Sequence, residues 1–191
     1  MLKTKIAVFV SGGGTNFEAL INAQENGKIP HGEIVLMVSS SKTAYALKRA
    51  ENHGIKSVVC SKKELGSQES FEEEILKNLE ENDIQLIVLA GFMSILSKEF
   101  TKKYENRIIN IHPSLIPSFC GEGFYGLHVH EAALKKGVKV TGATVHIVNE
   151  IPDGGPIIMQ RAEAAPRRMK KRRKPCFLRA RRQVLSAVCR R

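Results

Sequence analysis

The sequence predicts one doubly wound α/β domain built on a single, mainly parallel sheet. Three observations predict it. Apolar runs alternate with helix-period segments through the first 104 residues, two of the runs are apolar throughout, and a glycine-rich loop joins the first run to the first helix. Strands and helices alternating in this way imply parallel pairing through right-handed crossovers. Unbroken apolar strands suit a sheet covered on both faces.

The elements follow in order. Lys5–Val10 (KIAVFV) is a β-branched apolar run that stops at Ser11-Gly12-Gly13-Gly14-Thr15-Asn16, after which Phe17, Leu20 and Ile21 recur at helical spacing. Ile34–Val38 is the second strand, with a helix near Thr43–His53. Ser57–Cys60 precedes a helix near Glu69–Glu81, and Ile84–Ala90 precedes one near Ile95–Tyr104. Arg107–Asn110 is a short strand leading into Ile111-His112-Pro113-Ser114-Leu115-Ile116-Pro117, where two prolines forbid a regular helix or central strand. A helix near Leu127–Lys135, a strand Thr144–Val148, a turn Ile151–Pro156 and a strand Ile157–Arg161 complete the body.

With 191 residues, 42% hydrophobic and 26% charged, the chain has the composition of one globular domain rather than of a disordered or fibrous protein. No run approaches the roughly 18 apolar residues of a membrane span, and the N-terminus lacks a secretory pattern, so a soluble, cytoplasmic protein is expected. Cys60, Cys120, Cys176 and Cys189 have neither CxxC nor zinc-finger spacing and read as ordinary thiols. The net charge of +11 has one source. Residues 164–191 hold twelve of the 30 basic residues and none of the 19 acidic ones, leaving the body close to neutral.

Ser11–Asn16 sits where a strand hands over to a helix, so its N–H groups and the helix dipole favour an anion such as phosphate. It is neither GxGxxG nor GxxxxGK[ST], and no acidic residue follows at the right distance to hold a ribose diol, so a dinucleotide is not expected. A tight turn needing positive φ is the alternative reading. Alternation sends Asn110 and His112 to one side of their strand, at the carboxyl edge where open α/β sheets bind ligands. Asp153, in PDGGP, reads either as a turn residue or as a carboxylate reaching the same edge. Within about 4–6 Å it would stabilise the charged form of His112, as a group stabilising an oxyanion requires. His128 and His130 form an HxH pair without a third ligand, and positions i and i+2 of a helix do not face together, so no metal is expected. His146, inside an apolar strand, reads as core or as a support to the site.

Five separated blocks, KIAVFVSGGGTN, VLAGFMSILS, RIINIHPSLIPSF, GLHVHEAAL and VTGATVHIVNEIPDGGPIIMQ, carry a resemblance. The chain resembles the phosphoribosylglycinamide formyltransferases, folate-dependent enzymes of purine biosynthesis with a Rossmann-like α/β fold. The resemblance implies a catalytic domain over residues 1–163 and a catalytic trio of Asn110, His112 and Asp153. It implies that Gly14, Thr15 and Asn16 hold the phosphate and ribose of glycinamide ribonucleotide. It assigns 10-formyltetrahydrofolate, as co-substrate, to Met93, Ser94, Ile95, Leu96 and Asn110, with Lys62 as a further basic contact. Ser94 departs from the Arg or other polar residue that the family often has there.

The family pattern stops near Gln160. An acidic segment and an amphipathic helix are expected next, but the chain continues as a basic segment interrupted by Pro166 and Pro175. The expectation is that the tail from about Ala164 comes from a shifted reading frame, and that the altered end bears on activity. Methionyl-tRNA formyltransferase and formyltetrahydrofolate hydrolase share the Asn, His and Asp pattern but normally carry an additional domain. An inactive variant whose tail binds nucleic acid is the remaining alternative, with nucleic acid otherwise an incidental partner.

Overall fold

The computed structural model describes residues 2–165. The tail expected from Ala164 lies, beyond Ala165, outside the described residues. Seven strands form one sheet in the order β3-β2-β1-β4-β5-β6-β7. They are β1 (Thr4–Val10), β2 (Gly32–Ser39), β3 (Lys56–Val59), β4 (Leu86–Leu89), β5 (Ile108–His112), β6 (Val140–Ile147) and β7 (Ile157–Ala164). The helices are α1 (Thr15–Glu25), α2 (Ala46–Asn52), α3 (Lys62–Leu65), α4 (Gln68–Glu81), α5 (Lys98–Lys103) and α6 (His128–Lys136). Strands β1 to β5 pair in parallel, and β5–β6 and β6–β7 are antiparallel. The fold is the mainly parallel α/β architecture that the alternating elements predict.

Strand alternation divides the core into two layers. Ile6, Val8 and Val10 of β1 pack with Phe17, Leu20 and Ile21 of α1 and with Ala46 and Ala50 of α2. Ala7 and Phe9 face the other way, onto Phe71, Ile75 and Leu79 of α4 and Phe100 of α5. This two-sided cover is why the KIAVFV run needs no polar positions.

Several boundaries differ from the sequence expectation. Helix α5 begins at Lys98 rather than near Ile95, because the Ser97 side chain caps it by accepting from the Phe100 N–H. Strand β6 starts four residues earlier than expected, at Val140. Strand β7 runs on to Ala164, and the Ala165 N–H still donates to the Lys139 carbonyl at 2.9 Å. The first residues expected in the tail therefore belong to the sheet. The short α3 was not anticipated. Among the described residues no helix is long and apolar enough to cross a membrane.

Candidate active site

Strand order reverses between β1 and β4, so a crevice opens beyond their carboxyl ends. The glycine loop follows β1, and residues 90–97 follow β4. The two rims are tied together: the Ser11 N–H donates to the Gly91 carbonyl at 3.2 Å, and the Met93 N–H donates to Ser11 Oγ at 2.8 Å.

Within the glycine loop the three glycines are not equivalent. Gly14 precedes α1 with φ +66°, and a Cβ there would lie 2.7 Å from the Ala46 Cβ, so conformation and packing both require glycine. At Gly12 and Gly13 a Cβ would meet nothing within 4 Å. Packing does not account for these two, and the space beside them is open to a ligand. The first N–H groups of α1 lack intrahelical acceptors and face this space with the positive end of the helix dipole. Thr15 begins the helix. Asn16 is buried, and its Oδ1 has no hydrogen-bond partner among the described residues. Arg49 braces the loop from α2, donating from Nε to the Gly13 carbonyl at 2.9 Å and pairing with Glu18 at 2.9 Å.

The polar side chains meet at the β5–β6 seam. Asn110 stands opposite His146, and His112 opposite Thr144. Asp153, held at φ +56° in the turn before β7, reaches back over them. Its Oδ2 lies 3.2 Å from His112 Nδ1 and accepts from the Gly121 N–H at 3.0 Å. Its Oδ1 lies 3.4 Å from both Asn110 Nδ2 and His146 Nε2. Asn110 Nδ2 is also 3.1 Å from His146 Nε2. The other nitrogen of His112, Nε2, faces the Phe119 carbonyl at 2.8 Å. Both ring nitrogens of His112 thus face acceptors, and only a ring carrying a proton on each can donate to both. Burial opposes ionisation of Asp153, but hydrogen bonds with His112, His146 and the Gly121 N–H outweigh it and hold the carboxyl well below the usual carboxylate range.

A cleft of about 130 Å³ opens beside Asn110 and Asp153, with apolar walls from Leu89, Leu96 and Val148. Ser94 and Ile95 also line it. Met93 and Lys62 do not. Met93 is half exposed and joins the rim through its backbone, while Lys62 is exposed on α3. His128 is exposed and lies 3.7 Å from Glu131, whereas His130 is buried. The described residues contain no His, Cys, Asp or Glu cluster able to hold a metal ion. Burial pushes the Cys60 thiol up to about 11, away from any nucleophilic role.

Sequence reasoning left two parts of this constellation unassigned and a third, His146, open between core and support. His146 touches both Asn110 and Asp153, and its only sequence signal is a histidine within an apolar strand. The Phe119 carbonyl and the Gly121 N–H are backbone groups, for which side-chain identity gives no signal.

A family model described as formyl transferase matches residues 4–172. The chain belongs to the formyl transferase family. It is 48% identical over 160 residues to the trifunctional purine biosynthetic protein adenosine-3 of Gallus gallus, covering 84% of this chain and 15% of that protein. It is 39% identical over 156 residues to the phosphoribosylglycinamide formyltransferase of Haemophilus influenzae, covering 82% and 71%. A crystal structure of phosphoribosylglycinamide formyltransferase from Bacillus halodurans superimposes with a TM-score of 0.85 at 34% identity, covering 98% of this chain and 94% of that one. The formyl transferase match runs twelve residues beyond Gln160, past the point where the sequence blocks stop.

Proposed function

We propose that the chain transfers the formyl group of 10-formyltetrahydrofolate to the glycyl amine of glycinamide ribonucleotide, with Asn110, His112 and Asp153 as catalytic residues. One observation carries the reading: an amide, an imidazole with acceptors on both nitrogens and a carboxylate converge beside an apolar-walled cleft. Names of relatives and structural neighbours agree with it.

In this reading Gly14, Thr15 and Asn16 hold the nucleotide's phosphate and ribose at the start of α1. The flat pteridine enters between Leu89, Leu96 and Val148, with Ser94 and Ile95 beside it. Lys62 and Met93 are outer contacts. The amine attacks the formyl carbon, an oxyanion develops on the formyl oxygen, and the tetrahydrofolate nitrogen leaves with a proton. Asn110 donates to that oxygen, exchanging its long 3.4 Å contact with Asp153 for a bond to the developing charge. His112 turns Nε2 from the Phe119 carbonyl to the reacting centre, supplies positive charge and serves proton transfer. Asp153, 3.2 Å from Nδ1, holds the other side of that ring. Holding both reactants together supplies a further term of up to about 7–11 kcal/mol in favourable cases.

We extend the reading to the cytoplasm as the setting and to small molecules as the partners, with nucleic acid only incidental to the basic tail. A steady-state assay with both substrates tests it. Formyl transfer to the nucleotide, with little hydrolysis in its absence, is expected. Hydrolysis alone, or transfer only to an aminoacylated tRNA, would replace the reading by one of the related activities.

A further inference from the structure

The segment between β4 and α5 lines the cleft, and packing fixes only part of it: Phe92 and Leu96 rest on the core layer of α4. Met93 is 50% exposed and Ile95 77%. Hydrogen bonds hold the rest. At its start the Met93 N–H donates to Ser11 Oγ. At its end the load falls on α4, where the Glu72 carboxylate is only 7% exposed. Glu72 Oε1 accepts from the Ser97 N–H at 2.6 Å and from Gln68 Nε2 at 2.5 Å, and Oε2 accepts from the Ser97 hydroxyl at 2.5 Å. Gln68 Nε2 also donates to the Ile95 carbonyl at 3.1 Å.

From this geometry we infer that Glu72 and Gln68 are positioning residues that set the donor-binding segment Ser94–Leu96. The inference rests on the formyl-donor reading of the cleft. Phe71, Ile75 and Leu79 show what α4 needs in order to pack: apolar side chains. A carboxylate in such surroundings costs stability unless it is hydrogen-bonded, and every bond that Glu72 makes runs to Ser97 or to the glutamine gripping Ile95. No described ion pair neutralises it. The carboxylate therefore fixes where the segment enters α5. A shift of about 1 Å there moves Ile95 and Leu96, which line the cleft, and displacements of that size cost up to about a hundredfold in reaction rate.

Kinetics of the full chain, with 10-formyltetrahydrofolate and glycinamide ribonucleotide varied separately, test the inference. Glu72→Leu fills the volume but removes the acceptors, and the KM for the donor should rise about tenfold while that for the nucleotide stays within about twofold. Glu72→Gln keeps an acceptor for the Ser97 N–H and should bring the donor KM back to within about threefold of the wild type. Gln68→Ala, at a half-buried position, should raise the donor KM about threefold, and it carries the test if Glu72→Leu does not fold. The inference is overturned if donor and nucleotide KM rise together or if neither moves. A wild-type chain without turnover would count against the proposed function instead. Calorimetric titration with 10-formyltetrahydrofolate would then have to show the same ratios in Kd, and absence of binding to the wild-type chain would overturn both.

Discussion

The two sides of the sheet are built on different terms. In the parallel half, Phe9, Leu36, Met37 and Val88 are fully enclosed, and helices cover both faces. At the other edge β7 leaves Ile157 and Ile158 more than 40% exposed. Between them, the β5–β6 seam buries polar groups, namely His112, Thr144 and His146. Apolar burial stabilises by about 25 cal/mol per Å², whereas a buried polar group costs stability unless its hydrogen bonds are made, and each bond made returns only about 0.5–1.5 kcal/mol. The parallel half therefore holds the fold together, while the seam keeps buried polar groups for the proposed chemistry.

Substitutions separate the two roles. The largest effect is expected at the seam: Asp153→Asn should lower kcat of the folded fraction about a thousandfold, besides lowering Tm near neutral pH, as paired kinetics and calorimetry would show. Phe71→Ala, in the layer beneath the parallel half, should act on stability alone. It should cost about 3–5 kcal/mol of stability and leave kcat of the folded fraction near that of the wild type, measurable by urea denaturation. Within the glycine loop, Gly14→Ala meets Ala46 and a positive φ and should destabilise by about 1–3 kcal/mol. Gly13→Ala, with open space around it, should stay within about 0.5 kcal/mol. An equally harmless Gly14→Ala would remove the packing argument.

The halves should also answer pH with opposite signs. Asp153 titrates below its unfolded value, so its contribution to stability is present above about pH 4 and fades as acid carries the pH down towards its folded value. His53, between α1 and α2, is shifted the other way. The hydrogen bond to Glu25 raises its pKa; burial opposes this, and Glu18 adds to it. Its contribution is complete below about pH 6.5 and is lost as pH rises through the raised folded value. Thermal melts of the wild type, Asp153→Asn and His53→Gln between pH 3 and 9 should show the Asp153 advantage beginning to shrink at the acid end and the His53 advantage shrinking at the alkaline end. The smallest effect belongs to β7, where Ile158→Thr should change stability by no more than about 0.5 kcal/mol.

The parallel half was legible because its signal is periodic. KIAVFV and IQLIVLAG are continuous apolar runs, and β1 and β4 occupy the middle of the sheet. Ile95 and Leu96 misled because apolar residues that line a cleft look like the apolar face of a helix, and the true start is set by the Ser97 cap. The antiparallel end was less legible. Val140 and Thr141 join β6 through pairing with β7, a contact that local pattern does not carry. In the site, Asn110, His112 and Asp153 could be brought to one edge from strand ends. His146 could not, because only the register opposite Asn110 reveals its partner.

The most direct test of the account is His112→Ala, measured both for turnover and for equilibrium binding of glycinamide ribonucleotide. If the seam performs the chemistry while the glycine loop holds the nucleotide, kcat should fall about a hundredfold to ten-thousandfold with the nucleotide Kd changed by no more than about twofold. An unchanged kcat, or a loss of rate that follows entirely from lost nucleotide binding, would contradict it.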